Sequence, residues 1–340
     1  MAQWMNRVGA RTMWAIGYCT FAIAAIANLL LSDFSVAIYL IRSALVMGAA
    51  IVFTSGLTYI SQIAPEQRRA EAIGILGVGG FLGMLIGPFL GDIFLGELAE
   101  GSGQRERSGF VLFFAVAAGG NVISALILLF IRPPEKPTER VTIKLSAFVS
   151  TVRQHFPGGI LLVDLAFGVC MTGPFIFVSS FIDRESIHVP GVSTIGLFFW
   201  FYAGPAIAIR LLGRRLPQRF GTRTVLLVGG VFMASGMFAF TLVHSGQAWK
   251  IIIPAILAGC GHGLMFHTMV ALTLEKFATE VRATGSTLAL MMLDLGTVAG
   301  APALGEIGDR FGFAALFSTI GAFCLAATLL YALLSRPSVR

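Results

Sequence analysis

Charge is the scarcest feature of this chain. Of 340 residues, 12% are Asp, Glu, Lys or Arg, whereas 56% are hydrophobic. A soluble domain carries about 25% charged residues. So much apolar surface cannot be hidden from water, and a water-soluble fold is excluded. Cysteine is also sparse: Cys19, Cys170, Cys260 and Cys324 lie singly inside apolar runs. With no CxxC pair and no Cys/His cluster, neither a disulfide framework nor a zinc site is indicated. No HxxxH or acidic pair suggests another metal. No GxxxxGK[ST] loop suggests nucleotide-driven work, and no nucleophile–base constellation suggests an enzyme. We therefore expect no cofactor, no metal and no catalytic residues. The net charge of +7 could suit nucleic acid, but the basic residues fall in short gaps and form no stripe, so no nucleic-acid partner is expected.

What is present is a series of long apolar runs. A helix needs about 20 apolar residues to cross the hydrocarbon of a bilayer. Ten segments qualify: 12–31, 36–61, 71–95, 109–131, 158–182, 193–212, 222–243, 250–274, 284–304 and 312–334. Most are apolar on all sides, so they are not surface helices, and they lack the alternation of barrel strands. The expected class is an all-α integral membrane protein embedded in a lipid bilayer. The first run, behind Arg7 and Arg11, is too long for a signal peptide and lacks a small-residue cleavage site.

Orientation follows from Lys and Arg in the connections. Residues 1–11, 62–70, 132–157, 213–223, 275–283 and 335–340 hold 17 basic residues, and the opposite connections hold 5. The positive-inside rule puts the first set, with both termini, in the cytoplasm. Segment 132–157 is polar, basic and Pro-bearing, and reads as a linker that could carry a short surface helix. It divides the chain into a four-span bundle, 1–131, and a six-span bundle, 158–340.

The halves repeat. "NRVGARTMWAIG" at 6–17 returns as "QRFGTRTVLLVG" at 218–229, with Arg7, Gly9, Arg11, Thr12 and Gly17 matched 212 positions later. "GPFLG" at 87–91 returns as "APALG" at 301–305. Like halves are a mark of secondary transporters with a site near the membrane midplane.

Taken in order, these segments resemble the major facilitator superfamily. Its loop motif, GxLaDRxGRR, is similar to 2–11, where Arg7, Gly9 and Arg11 match and Asn6 replaces the aspartate. Gln218 replaces it in the second copy, beside Arg219, Gly221 and Arg223. "GEIGDRFG" at 305–312 resembles the same motif on the outer side. The motif RxxqGxgaa is similar to 42–50, through Arg42, Gly48, Ala49 and Ala50. The motif gxxxGPxxGG is similar to 83–92, through Gly83, Gly87, Pro88 and Gly91, with Asp92 at the last glycine. The resemblance covers essentially the whole chain and implies a two-bundle helical fold with ten membrane helices, four and six, instead of twelve. It implies a proton-coupled exporter of a small organic solute working by alternating access in the plasma (inner) membrane. Alternatives are an importer or facilitator of the same superfamily, or a non-transporting sensor or remnant. The substrate, the oligomeric state and the direction of transport are not readable from the residues.

Several residues become site candidates. Gly79, Gly83, Gly87 and Gly91 recur every four positions, which bares one helix stripe for close approach, and Pro88 bends that helix. In the family, turns like those of Arg7, Arg11, Arg219 and Arg223 clamp the two halves through charge pairs, for which Glu66, Glu71 and Glu280 are available. Ionisable residues within spans are costly and mark pathways. Asp294, about ten residues into the ninth span, and Asp164, about six into the fifth, are candidate proton carriers. Arg42 could tune a nearby acid or attract an anion. Arg210 is near a span end and is expected to snorkel. His262 and His267 stand about 140° apart on a helix, so at most one lines a cavity.

Two apolar spans precede the second copy of the loop motif, and five residues precede the first. If the halves share a six-span ancestor, the first lacks its opening two helices. We expect the DNA upstream of Met1 to encode two further spans in frame. A stop codon and ribosome-binding site directly before Met1, with flux from the ten-span protein, would contradict this.

Overall fold

The computed structural model describes residues 8–31, 35–63, 69–95, 103–131, 145–277 and 282–335. Arg7, Asn6, Glu66, Glu280 and residues 132–144 lie outside the described residues, as does the side chain of Glu71. The described chain is helical: α1 Ala10–Ala27, α2 Val36–Ile63, α3 Arg69–Leu95, α4 Gly103–Phe130, α5 Leu145–Gln154, α6 Ile160–Thr172, α7 Val178–Arg184, α8 Thr194–Leu212, α9 Leu216–Phe220, α10 Thr222–Ala239, α11 Ile252–Leu274 and α12 Arg282–Leu334. A π-helical turn, Gly173–Phe177, joins α6 to α7.

Nine helical stretches among the described residues are long and apolar enough to cross a membrane. The last, Thr287–Leu334, has 48 residues, about 70 Å at 1.5 Å per residue, more than twice a hydrocarbon core. It breaks at Gly312, whose φ of 82° and ψ of 170° are not helical. It therefore supplies two crossings, which makes ten. Outward faces are apolar: Tyr39, Leu40, Phe130 and Leu212 are all more than two-thirds exposed. Water would not tolerate that surface, but acyl chains do.

The chain forms two compact units, 1–76 with 89–144, and 77–88 with 145–340, so the middle of α3 groups with the second. In the first unit α1 packs on α2 and α4. Small residues allow this where lipid supplies no hydrophobic drive between helices. A Cβ at Gly17 would meet the Val52 nitrogen at 2.8 Å, and one at Gly48 the Phe21 nitrogen at 2.9 Å. The second unit repeats the device in α10 and α11. A Cβ at Gly229 would meet Leu264 and Met265 at 2.9 Å, and one at Gly261 the Met233 nitrogen at 2.6 Å.

The repeat extends to the backbone. α1 ends in a 3-10 turn, Asn28–Leu30, and an extended Leu31; α10 ends in Phe240–Leu242 and an extended Val243. Every boundary is displaced by 212. Both helices start behind a glycine of mirror-image extended conformation, Gly9 (φ 85°, ψ 151°) and Gly221 (φ 82°, ψ 140°), and Gly312 adopts it a third time. Only glycine reaches that region without a Cβ clash, which is why the Arg-x-Gly pattern ends on it in all three places.

The arginine two residues later has a matching task. Arg11 donates to the Ile131 carbonyl at 2.6 Å, just beyond α4. Arg223 donates to the Ala332 carbonyl at 2.7 Å and to Ser335 Oγ at 2.8 Å, at the end of α12. Each cation meets orphan carbonyls at a helix C-terminus, where the dipole favours it. These bonds stay inside each unit. Replacing Arg223 with Met keeps the stem but removes the donors, and should cost about 1 kcal/mol. A thermal melt in detergent reads this, and an unchanged midpoint would refute it.

Candidate functional site

α6 carries the first ionisable candidate. Asp164 is completely buried; its Oδ2 accepts from Thr273 Oγ1 of α11 at 2.9 Å, and its Oδ1 has no partner. An ionised carboxylate offers about four acceptor positions, so one hydroxyl leaves it far from satisfied. Further along, Pro174 lacks the N–H that a regular helix needs, and the chain widens there into the π turn. Such turns occur at functional sites. This one places Phe175 with its ring 5.9 Å from Phe199 and 6.0 Å from Tyr202.

Tyr202 is the single tyrosine of α8 and is fully buried. Its hydroxyl lies 2.7 Å from His262 Nδ1 of α11. Backbone contact makes the pairing possible, because a Cβ at Gly259 would run into the Tyr202 carbonyl. The His262 ring sits among Phe81 at 4.7 Å, Phe167 at 5.1 Å and Phe266 at 6.1 Å. His267 is half-buried, its Nδ1 without a hydrogen-bond partner. Only His262 joins the Tyr202 pair.

Arg210 does not snorkel. It is 8% exposed, and its guanidinium carbon lies 4.6 Å over the Phe81 ring and 5.3 Å from Phe266. Its Nε has no acceptor. Distance from the helix end suggested solvent, but the side chain turns inward beneath Phe81, into room left by the missing Cβ of Gly77. Cation–π contacts give about 0.5–2 kcal/mol each, whereas an uncompensated buried ion costs several. The rings alone do not offset the burial.

Two other candidates face outward from their units. Asp294 lies on an exposed side of α12 with Met291, Leu295 and Val298; Arg42 is exposed on α2. Within the second unit, Asp294 makes no hydrogen bond with Asp164 or His262. In the glycine stripe of α3, among the described residues, a Cβ at Gly79, Gly83 or Gly87 would meet nothing within 4 Å, and at Gly91 only Phe113 at 4.0 Å. The helix continues through Pro88 to Leu95. In the loop motifs, Arg11 and Arg223 cap helices, while Arg219 lies 5.2 Å over its neighbour Phe220. No group of three metal-ligating side chains occurs among the described residues.

Sequence reasoning did not single out Tyr202, Thr273 or Phe81. A lone tyrosine inside an apolar run was the available signal for the first. The other two look like ordinary span residues.

The family model of the Major Facilitator Superfamily matches residues 1–301 and, again, 215–340. A probable sugar efflux transporter of Helicobacter acinonychis is 25% identical over 71% of this chain and 57% of its own length. Multidrug resistance protein 1 of Bacillus subtilis is 25% identical over 94% of this chain and 80% of its own length. Among solved structures, the fucose:proton symporter of E. coli superposes with a TM-score of 0.71 at 14% identity, covering 98% of this chain and 86% of that one. The chain thus spans less than two thirds of the sugar efflux relative, and the fold is the two-bundle helical one of multi-pass membrane transporters. The matched proteins are transporters, not enzymes.

Proposed function

This chain belongs to the major facilitator superfamily, and on that premise we propose that it is a secondary active transporter exporting a small organic solute in exchange for protons. One observation carries the reading: a helical unit of the first half recurs 212 residues later with the same caps and turns and with the close glycine contact of Gly17 repeated at Gly229. Two such halves, 1–131 and 158–340, joined by the linker 132–157, rock about a midplane site in alternating access. The relatives named for sugar efflux and multidrug resistance support export.

In this reading Asp164 and Asp294 carry the protons. Asp164 has an unpartnered oxygen in a dry site. Asp294 is an exposed acid in mid-span and must face a water-filled cavity, because lipid would exclude it. Arg42 sets the field near the pathway, and His262 lines the cavity side of α11, backed by Tyr202, with His267 the second histidine candidate. The turns with Arg7, Gly9, Arg11, Arg219, Gly221 and Arg223 are the gating loops, and Gly83, Gly87, Pro88 and Gly91 form the seam that closes during the cycle. Protonation biases one conformation, as population shift requires.

Proteoliposomes holding the protein and a panel of sugars and dyes test this. Efflux should follow an imposed proton gradient and collapse with an uncoupler. Flux indifferent to the gradient would remove the proton from the mechanism.

Both termini and the linker are assigned to the cytoplasm of the plasma (inner) membrane. A cysteine replacing Ser102 should react with an impermeant maleimide added outside intact cells, and one replacing Thr138 should not. The reverse labelling would invert the topology.

A further inference from the structure

We propose that Thr273 is the positioning residue of the proton carrier Asp164: its hydroxyl donates to Oδ2, favours the ionised carboxylate, and leaves Oδ1 as the oxygen that takes up the proton. The assignment rests on the transport reading, in which Asp164 carries protons. Both side chains are completely buried, on α6 and α11 of one compact unit, and Thr273 Oγ1 lies 2.9 Å from Asp164 Oδ2. A threonine inside an apolar helix ordinarily turns its hydroxyl back to a carbonyl of its own helix. Three other buried threonines do so. Thr172 donates to the Val169 carbonyl at 2.6 Å, Thr268 to Leu264 at 2.6 Å and Thr328 to Cys324 at 2.8 Å. Thr273 instead directs its single proton to an oxygen 109 residues away.

A hydroxyl donor stabilises the charged form of a carboxylate more than the neutral form. Among the described residues no cation forms an ion pair with Asp164, so this hydroxyl is the donor that the ionised form has. Tyr331 of α12 interacts electrostatically with Asp164, with Glu275 just beyond α11 and with Arg223 of α10. Cys170 lies further along α6, and Asp294 is on an exposed side of α12. None of these hydrogen-bonds to the carboxylate. Oδ1 has no partner. When the cycle opens the site to water, uptake forms an O–H bond at Oδ1 at the expense of a hydronium ion. Release returns that proton to water, and the Thr273 bond to Oδ2 persists through both. A proton needs no cavity, which suits a site where both side chains are fully buried.

Infrared difference spectra of the full chain in nanodiscs, taken along a pH series, follow the carbonyl stretch of protonated Asp164. Its loss in Asp164→Asn identifies the band. Thr273→Val has the same outline without the donor, and should move the midpoint up by about one pH unit or more. Thr273→Ser keeps the donor and should restore the parent midpoint. The pH profile of solute efflux should move with the band. If Thr273→Val does not fold, the parent carries the test. A carbonyl that accepts from a hydroxyl absorbs at lower frequency than a free one, so a parent band at the free-acid frequency overturns the proposal. So does an unshifted midpoint in Thr273→Val, an equal shift in the valine and serine variants, or the absence of any titrating band lost in Asp164→Asn. A band that shifts as expected, without proton-driven flux of any solute, would defeat the transport reading and leave the positioning role standing. Proton-driven flux with one midpoint shared by the parent and Thr273→Val would defeat the positioning role alone.

Discussion

If the protein exchanges solute for protons as proposed, Asp164→Asn should leave it folded and remove most of that proton-driven transport. The side chain is fully buried between α6 and α11, with one oxygen accepting from Thr273. An asparagine has the same outline, and its carbonyl can still accept from that hydroxyl. What it cannot do is take up and release a proton. Gradient-driven efflux in proteoliposomes should fall by about tenfold or more, while exchange of solute across the membrane without a gradient persists, because only the coupling step is lost. Asp294→Asn is the companion variant, and its exposed position predicts still less effect on folding. Normal gradient-driven efflux in both variants would show that these acids are structural and that the coupling group lies elsewhere.

Gly168→Leu should damage the fold itself. α6 and α12 pack closely within the second unit. A Cβ at Gly168 would run into the Leu293 carbonyl, and one at Gly296 into the Leu165 carbonyl. Thr297 Oγ1 crosses between the helices to the Gly168 carbonyl at 3.0 Å. Close backbone approach of this kind replaces the hydrophobic drive that lipid does not supply. A leucine must push the helices apart, breaking that hydrogen bond and opening gaps along both helices. Overpacking costs about 1–3 kcal/mol, and more where backbone must move; here it must. We expect a melting midpoint in detergent lowered by several degrees and a reduced yield of monodisperse protein. Gly120→Leu is the control, on an exposed face of α4 with nothing within 4 Å. Equal melting shifts for the two variants would show that the α6–α12 contact does not stabilise the unit.

The same pair of helices shows where sequence reasoning runs out. Asp164 was found because a carboxyl inside an apolar run stands out, but Thr273, 109 residues away, did not. Tyr202 and His262 are 60 residues apart, and no local spacing connects them. Arg210 was misjudged because distance from a helix end says nothing of direction. The glycines of α3 were recognised as a bare stripe, yet what approaches them depends on the helices around them.

The positions of the crossings, the all-helical class and the internal repeat were determined by the sequence alone. A bilayer demands about 20 apolar residues for each crossing and backbone bonds satisfied within the helix, and both demands are met locally. The Arg-x-Gly turns were equally local, since the mirror-image backbone at Gly9, Gly221 and Gly312 admits only glycine. The facing of each helix was decided by tertiary structure. A helix apolar on every side has no polar stripe to show which way it turns, so only packing selected the partners of Asp164, His262 and Arg210. That is why Asp164 meets a hydroxyl, His262 a tyrosine, and Arg210 two phenylalanine rings and no acid among the described residues.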